Sequence, residues 1–215
     1  MGRLFNLDNP IMVFMGKVAD LILLNLLAIV CSLPIITIGA SWTALYYVTI
    51  KMVKKEEGYI FKDFFHSFKE NFKQATCIWL MVLAASAVFV ADFMIYRAMP
   101  DSIPIVLMVI VFAVVLIVLS TVIYVFPVLS RYSNTIKNTI KNAFLLSLAN
   151  MPYTVLLLIL FLLPFVAMLF IFWTLPFLFM FGFSIPAYLS SLIWVRIFKK
   201  LEPETEDTDT ENVTV

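Results

Sequence analysis

The sequence predicts an all-α, polytopic membrane bundle of about six membrane helices, with five as the alternative count, edged by interfacial amphipathic helices. Three observations predict it. Of 215 residues, 63% are hydrophobic and 13% charged, against roughly 45–50% and 25% in an ordinary soluble domain. Long apolar runs reach or exceed the ~20 residues that a helix needs to cross the hydrocarbon core. The lysines gather in the polar stretches between those runs.

The chain opens without the pattern of a cleavable leader, which needs a basic start, a short apolar core and small residues at the cut. Asp8 or Asn9 is expected to cap the first helix, with Pro10 in its first turn, where a missing N–H costs nothing. Helical spacing then runs from Ile11 to Leu33, interrupted by Lys17, Asp20 and Asn25. Pro34 ends it, Ile35 to Gly39 reads as a break, and a short second helix runs from Ala40 to Lys51. The apolar span from Val18 to Ile50 is 33 residues, more than one crossing and less than two full ones.

Three further apolar blocks follow. Ala75 to Tyr96 is one span, closed by Arg97 and Pro100-Asp101. Ile103 to Val128 is the next, with Pro104 and Pro127 near its ends. Ala143 to Phe198 holds two crossings, with a reversal expected at Trp173-Thr174-Leu175-Pro176 and kinks or ends at Pro152, Pro164 and Pro186. Phe61, Phe64, Phe65, Phe68 and Phe72 repeat at helical spacing among Lys62, Asp63, His66, Lys69, Glu70 and Lys73. That pattern is expected to lie in the headgroup layer, with its phenylalanines in lipid or against neighbouring helices. A similar piece runs through Tyr132, Ile136 and Ile140.

Lys69 to Ala75 and Lys137 to Ala143 share the order Lys-x-x-apolar-Lys-amide-Ala. Either any basic helix entering a membrane looks so, or the chain repeats a lead-in followed by a helix hairpin. Three hairpins would make six helices. Basic residues concentrate at 51–73, 131–141 and 196–200, so these segments and the C-terminus are expected in the cytoplasm. Six helices leave 14 of the 15 basic residues inside, and five leave 12. One membrane domain over residues 1–200 is expected, then an acidic tail at 201–215 with too little apolar surface to order itself.

The chemistry-bearing residues are sparse. His66 is the single histidine, Cys31 and Cys77 stand alone in apolar runs, and no metal-spaced cluster, nucleophile elbow or phosphate-binding glycine loop occurs. No catalytic residue, metal or cofactor is therefore expected, and the net charge of +1 argues against nucleic acid as a partner. Lys17 with Asp20, and Asp92 with Arg97, are candidate polar pairs within or at the edge of the membrane. Asn25 and Asn150 could hydrogen-bond between helices, and the helices broken at Pro164, Pro176 and Pro186 could line a cavity. Glu56, Glu57, Gly58, Asp63, His66 and Glu70 form a candidate partner-docking elbow, where Gly58 reads as a helix stop.

The segment Leu33-Pro34-Ile35-Ile36-Thr37-Ile38-Gly39, with Thr43-Ala44-Leu45-Tyr46-Tyr47, Glu56-Glu57-Gly58-Tyr59 and Phe68 to Thr76, resembles the YesL family of bacterial integral membrane proteins. The likeness is specific over residues 8–76 and compositional beyond about residue 100. The resemblance implies a plasma-membrane protein, chiefly of Gram-positive bacteria, with no assigned activity and with genes that often neighbour carbohydrate-importing ABC transporters. The expectation that follows is a non-enzymatic accessory or regulator of such a system. Its partners would be the bilayer, permease subunits and a second copy of itself. A small transporter or channel acting alone is the alternative.

Overall fold

The computed structural model describes residues 10–98, 104–170 and 175–201. Among them the chain is all-α: α1 (Pro10–Ser32), a 3-10 turn (Ile35–Thr37), α2 (Ile38–Lys54), α3 (Ile60–Ala98), α4 (Ile105–Arg131), α5 (Ile136–Ala149), α6 (Met151–Phe170), α7 (Leu175–Phe181) and α8 (Ser184–Leu201). The expected caps at Asp8 and Asn9, the Pro100-Asp101 boundary, the Trp173-Thr174 part of the reversal and the tail from residue 202 lie outside the described residues.

Four helical stretches are long and apolar enough to cross a membrane: Met12–Ser32, Ile60–Ala98, Ile105–Arg131 and Phe179–Leu201. The bent pair α5–α6 makes a fifth if it counts as one span. The described residues thus supply four or five spans, against the six or five expected. The difference is α2. It has 17 residues, ten of them buried among the other helices.

What lets α2 sit there is its small and hydroxylated face. Gly39, Ala40, Ser41, Thr43 and Ala44 are all buried. A Cβ on Gly39 would stand 2.6 Å from the Ala75 carbonyl oxygen and 2.7 Å from the Trp79 Cβ, so only glycine lets α3 approach this closely. The buried hydroxyls each find an acceptor: Ser41 donates to the Ala28 carbonyl at 2.9 Å, Thr43 to Gly39, and Thr49 shares a 2.8 Å hydrogen bond with Ser191 of α8. A polar group buried without such a partner would cost about 1–3 kcal/mol.

The Phe-striped segment is not a separate helix. Phe64, Phe65, Phe68 and Phe72 pack against neighbouring helices, one of the two placements expected for the stripe. Residues 60–98 form one unbroken 39-residue helix, about 58 Å long at 1.5 Å per residue. No proline or glycine occurs between Gly58 and Pro100, so nothing breaks it. Its first half runs antiparallel to α2, burying Phe64, Ser67 and Ala75, while Phe61 remains 59% exposed. The second lead-in behaves differently. Thr135 caps α5 by accepting from the Asn138 N–H, and α5 ends at Ala149, before the chain turns by 107° into α6. Pro152, in the first turn of α6, cannot continue α5. Ala75 and Ala143 are equally buried and Gln74 donates its amide to the Asn134 carbonyl, yet the matched motifs lead into a straight helix and a bent one. The shared motif is a local likeness that the surrounding helices do not repeat.

The ends of α2, α4 and α8 carry Lys51 and Lys54, Arg131, and Lys199 and Lys200 in their last turns. Tyr124 meets Trp194 edge-on at 4.6 Å and Tyr132 meets Phe198 at 5.6 Å, which sets the basic ends of α4 and α8 side by side. Beyond this packed end, α3 and α4 continue as an apolar hairpin whose side chains, from Leu80 to Ile95 and from Ile105 to Ile117, are largely exposed.

Candidate functional site

Two features stand out: a charged elbow at the basic end, and an aromatic cavity in the middle of the bundle. The elbow forms where α2 stops. Lys55 takes the left-handed conformation (φ 57°) and its N–H, with that of Glu56, closes onto the Lys51 and Met52 carbonyls. Lys55, and not Gly58, is therefore the helix stop. Gly58 leaves room for the pair beside it: a Cβ there would fall 2.1 Å from Asp63 Oδ2 and 3.0 Å from Lys51 Nζ, and those side-chain ends would have to move.

Asp63 and Lys51 pair at 3.0 Å in that confined space, and Lys51 also lies 5.7 Å from the centre of the Tyr47 ring. The hydrogen bond from Lys51 to Asp63, followed by the charges of Asp63 and neighbouring groups, holds the Lys51 ammonium above its ordinary 10.5 against the opposing effect of burial. Of the expected docking residues, Asp63 is thus taken up within the elbow. Glu56, Glu57 and Gly58 are exposed, and so are His66 and Glu70, which pair at 3.5 Å one helical turn apart. Glu56, Glu57, Gly58 and the exposed Tyr59 border an open cleft of about 660 Å³, whose far side is Val13 and Lys17 of α1.

The two expected polar pairs are not formed. Among the described residues, no ion pair joins Lys17 to Asp20 or Asp92 to Arg97. Lys17 turns instead to the elbow cleft. Asp92 and Arg97 are five apart, which on a helix of 3.6 residues per turn places them on different faces; Asp92 borders a groove between α3 and α4 with Phe93 and Phe112. Cys31 and Cys77 are free thiols, and no group of three metal-capable side chains gathers among the described residues.

Asn25 makes contacts between helices. Fully buried on α1, it accepts from the Phe183 and Ser184 N–H groups at 2.9 and 3.1 Å and donates to the Phe179 carbonyl at 2.7 Å. One side chain thereby satisfies the backbone groups freed where α7 breaks before α8, which a break at membrane depth requires. Asn150 acts locally, donating to the Leu146 carbonyl at the end of α5.

The cavity, of about 290 Å³, is lined almost wholly by apolar surface. Trp42 and Tyr46 of α2 stand one turn apart on its wall, facing Trp79, Phe126, Phe161 and Phe183 from four other segments. The Trp42 ring lies 5.4 to 6.5 Å from those of Phe161, Phe183, Tyr46 and Phe126. Two of the polar groups at its edge are engaged: Trp79 Nε1 donates to the Ile35 carbonyl at 2.7 Å, and the Tyr46 hydroxyl bonds Ser190. A smaller recess continues past Pro164 and Pro186, whereas Pro176 is exposed elsewhere. Pro164 and Pro186 thus border a recess, but α6 runs unbroken through Pro164 and α8 through Pro186, and the larger cavity is lined by neither. The sequence reading missed its aromatic lining, for which the i, i+4 pair Trp42 and Tyr46 beside the small residues of α2 was the available signal.

Long apolar helices, a buried short helix and a hydrogen-bonded helix break define an all-α protein with the build of a multi-pass membrane protein. Residues 21–93, about a third of the chain, match a family model described as "Protein of unknown function, DUF624". The match covers most of α1, all of α2 and most of α3, which supply the elbow, Asn25 and three of the six cavity rings. No curated protein and no solved structure matches the chain.

Proposed function

We propose that this chain is a non-enzymatic accessory or regulatory subunit of a carbohydrate-importing ABC-type transport system in a bacterial plasma membrane. The resemblance of residues 8–76 to the YesL family, whose genes keep that company, supports the biological setting. The observation that carries the reading is the elbow. The Lys51–Asp63 ion pair ties α2 to α3 across it, while Glu56, Glu57, His66 and Glu70 face outward. A charged rim braced in this way suits a docking surface, because ordering fewer groups on binding costs less entropy. The basic ends of α2, α4 and α8 favour the cytoplasm for this face and for the C-terminus.

The test is affinity purification in mild detergent from cells grown on the imported sugar. A permease or nucleotide-binding subunit is expected to co-purify, and the double substitution E56K/E57K is expected to release it without lowering the yield of folded protein. Failure to recover any transporter subunit overturns the proposal. Solute flux in proteoliposomes holding this chain alone would favour the transporter alternative, for which the apolar lining of the central cavity makes a poor polar path.

A further inference from the structure

We infer that the central cavity holds an acyl chain of a bilayer phospholipid. A space of about 290 Å³ is close to the lower end of the ~300–1,000 Å³ that small-molecule sites occupy. It is roughly twice the ~150 Å³ cavity that stays dry and takes up apolar guests. Water does not suit it, since a buried water needs two to four polar partners. The Tyr46 hydroxyl and Trp79 Nε1 already bond Ser190 and Ile35, and Ser32 and Trp42 add almost no polar surface to the lining. A sugar fails for the same reason: its hydroxyls would enter unpaired.

The rim decides between apolar guests. Half-buried Ser32, Ile38 and Trp79 border the cavity beside the 3-10 turn, where Leu33, Ile35 and Ile36 stand 74%, 64% and 53% exposed. Side chains of that kind, on a turn at the end of a membrane-crossing helix, face hydrocarbon. The mouth therefore opens to the tails of the surrounding lipid, and phospholipid acyl chains are the molecules present there in bulk. Ala28 and Val122 line the cavity from α1 and α4. Larger side chains at either position would take the guest's place.

The experiment uses the full chain, extracted from membranes in mild detergent, washed and weighed by native mass spectrometry. One retained phospholipid per chain is expected. Ala28→Leu and Val122→Phe, each filling the cavity, should lower retention about tenfold or more, because the methylenes lose their burial. Met81→Phe, on the exposed face of α3, should leave retention unchanged. In vesicles of phosphatidylglycerol with brominated acyl chains, quenching of tryptophan fluorescence should fall in both filled variants and persist in Met81→Phe. Thermal unfolding of the two filled variants, expected to be no lower than that of the parent, shows that they fold. Equal retention in all variants means surface lipid only and overturns the inference, as does retention of a fatty acid or an isoprenoid in place of phospholipid.

Discussion

Single residues carry unusual weight in this molecule because each solves a backbone problem. Asn25 serves three backbone groups at the α7–α8 break. Asn25→Leu keeps the side chain's bulk and removes all three hydrogen bonds, leaving buried donors unpaired at about 1–3 kcal/mol each. A loss of roughly 3 kcal/mol in detergent unfolding is expected. Gly58 works by leaving room. Gly58→Ala drives a Cβ into the Asp63 carboxylate and parts it from Lys51, at a cost of about 1 kcal/mol for a partly exposed pair. The same pair sets a pH response. Lys51 titrates above its ordinary 10.5 in the folded chain, so its stabilisation is complete below 10.5 and fades as pH climbs through the raised value. Asp63→Asn should abolish that alkaline loss, as thermal scans across the range would record.

Elements owe their positions to what their neighbours tolerate. α2 was legible from sequence as a short helix bounded by Pro34 and the lysines, and the structure starts it at Ile38 and ends it at Lys54. Its burial was not legible, because a moderately apolar helix with hydroxyls reads equally well as an interfacial one. The close packing of Gly39 on Ala75 and Trp79 decides the matter. Gly39→Ala is expected to cost about 1–3 kcal/mol by overpacking, with the loss read as a lowered unfolding midpoint. The two lead-ins teach the converse. Their motifs match at five of seven positions, yet α3 continues unbroken and α5 turns by 107° into α6. Pro152 accounts for part of this, and nothing comparable stands after Ala75.

For the whole molecule, the arrangement of basic helix ends makes a topology prediction. With Cys31 and Cys77 changed to serine, Tyr59→Cys at the exposed elbow should react with an impermeant thiol reagent in inverted vesicles and not in intact cells. Labelling from outside would reverse the orientation.

Composition, periodicity and the spacing of lysines were enough to establish a helical membrane protein, the end of its first helix within a residue and the break before α2, since each depends on local hydropathy and on prolines that act on their own neighbours. Tertiary structure alone decided that Asp63 turns inward to Lys51, that Lys17 and Asp20 stay apart, that Asn25 bridges to a break more than 150 residues away, and that six aromatic rings enclose a cavity. Most of those depend on which helix faces meet. Hydropathy marks a face as apolar or polar without saying which other face it will meet.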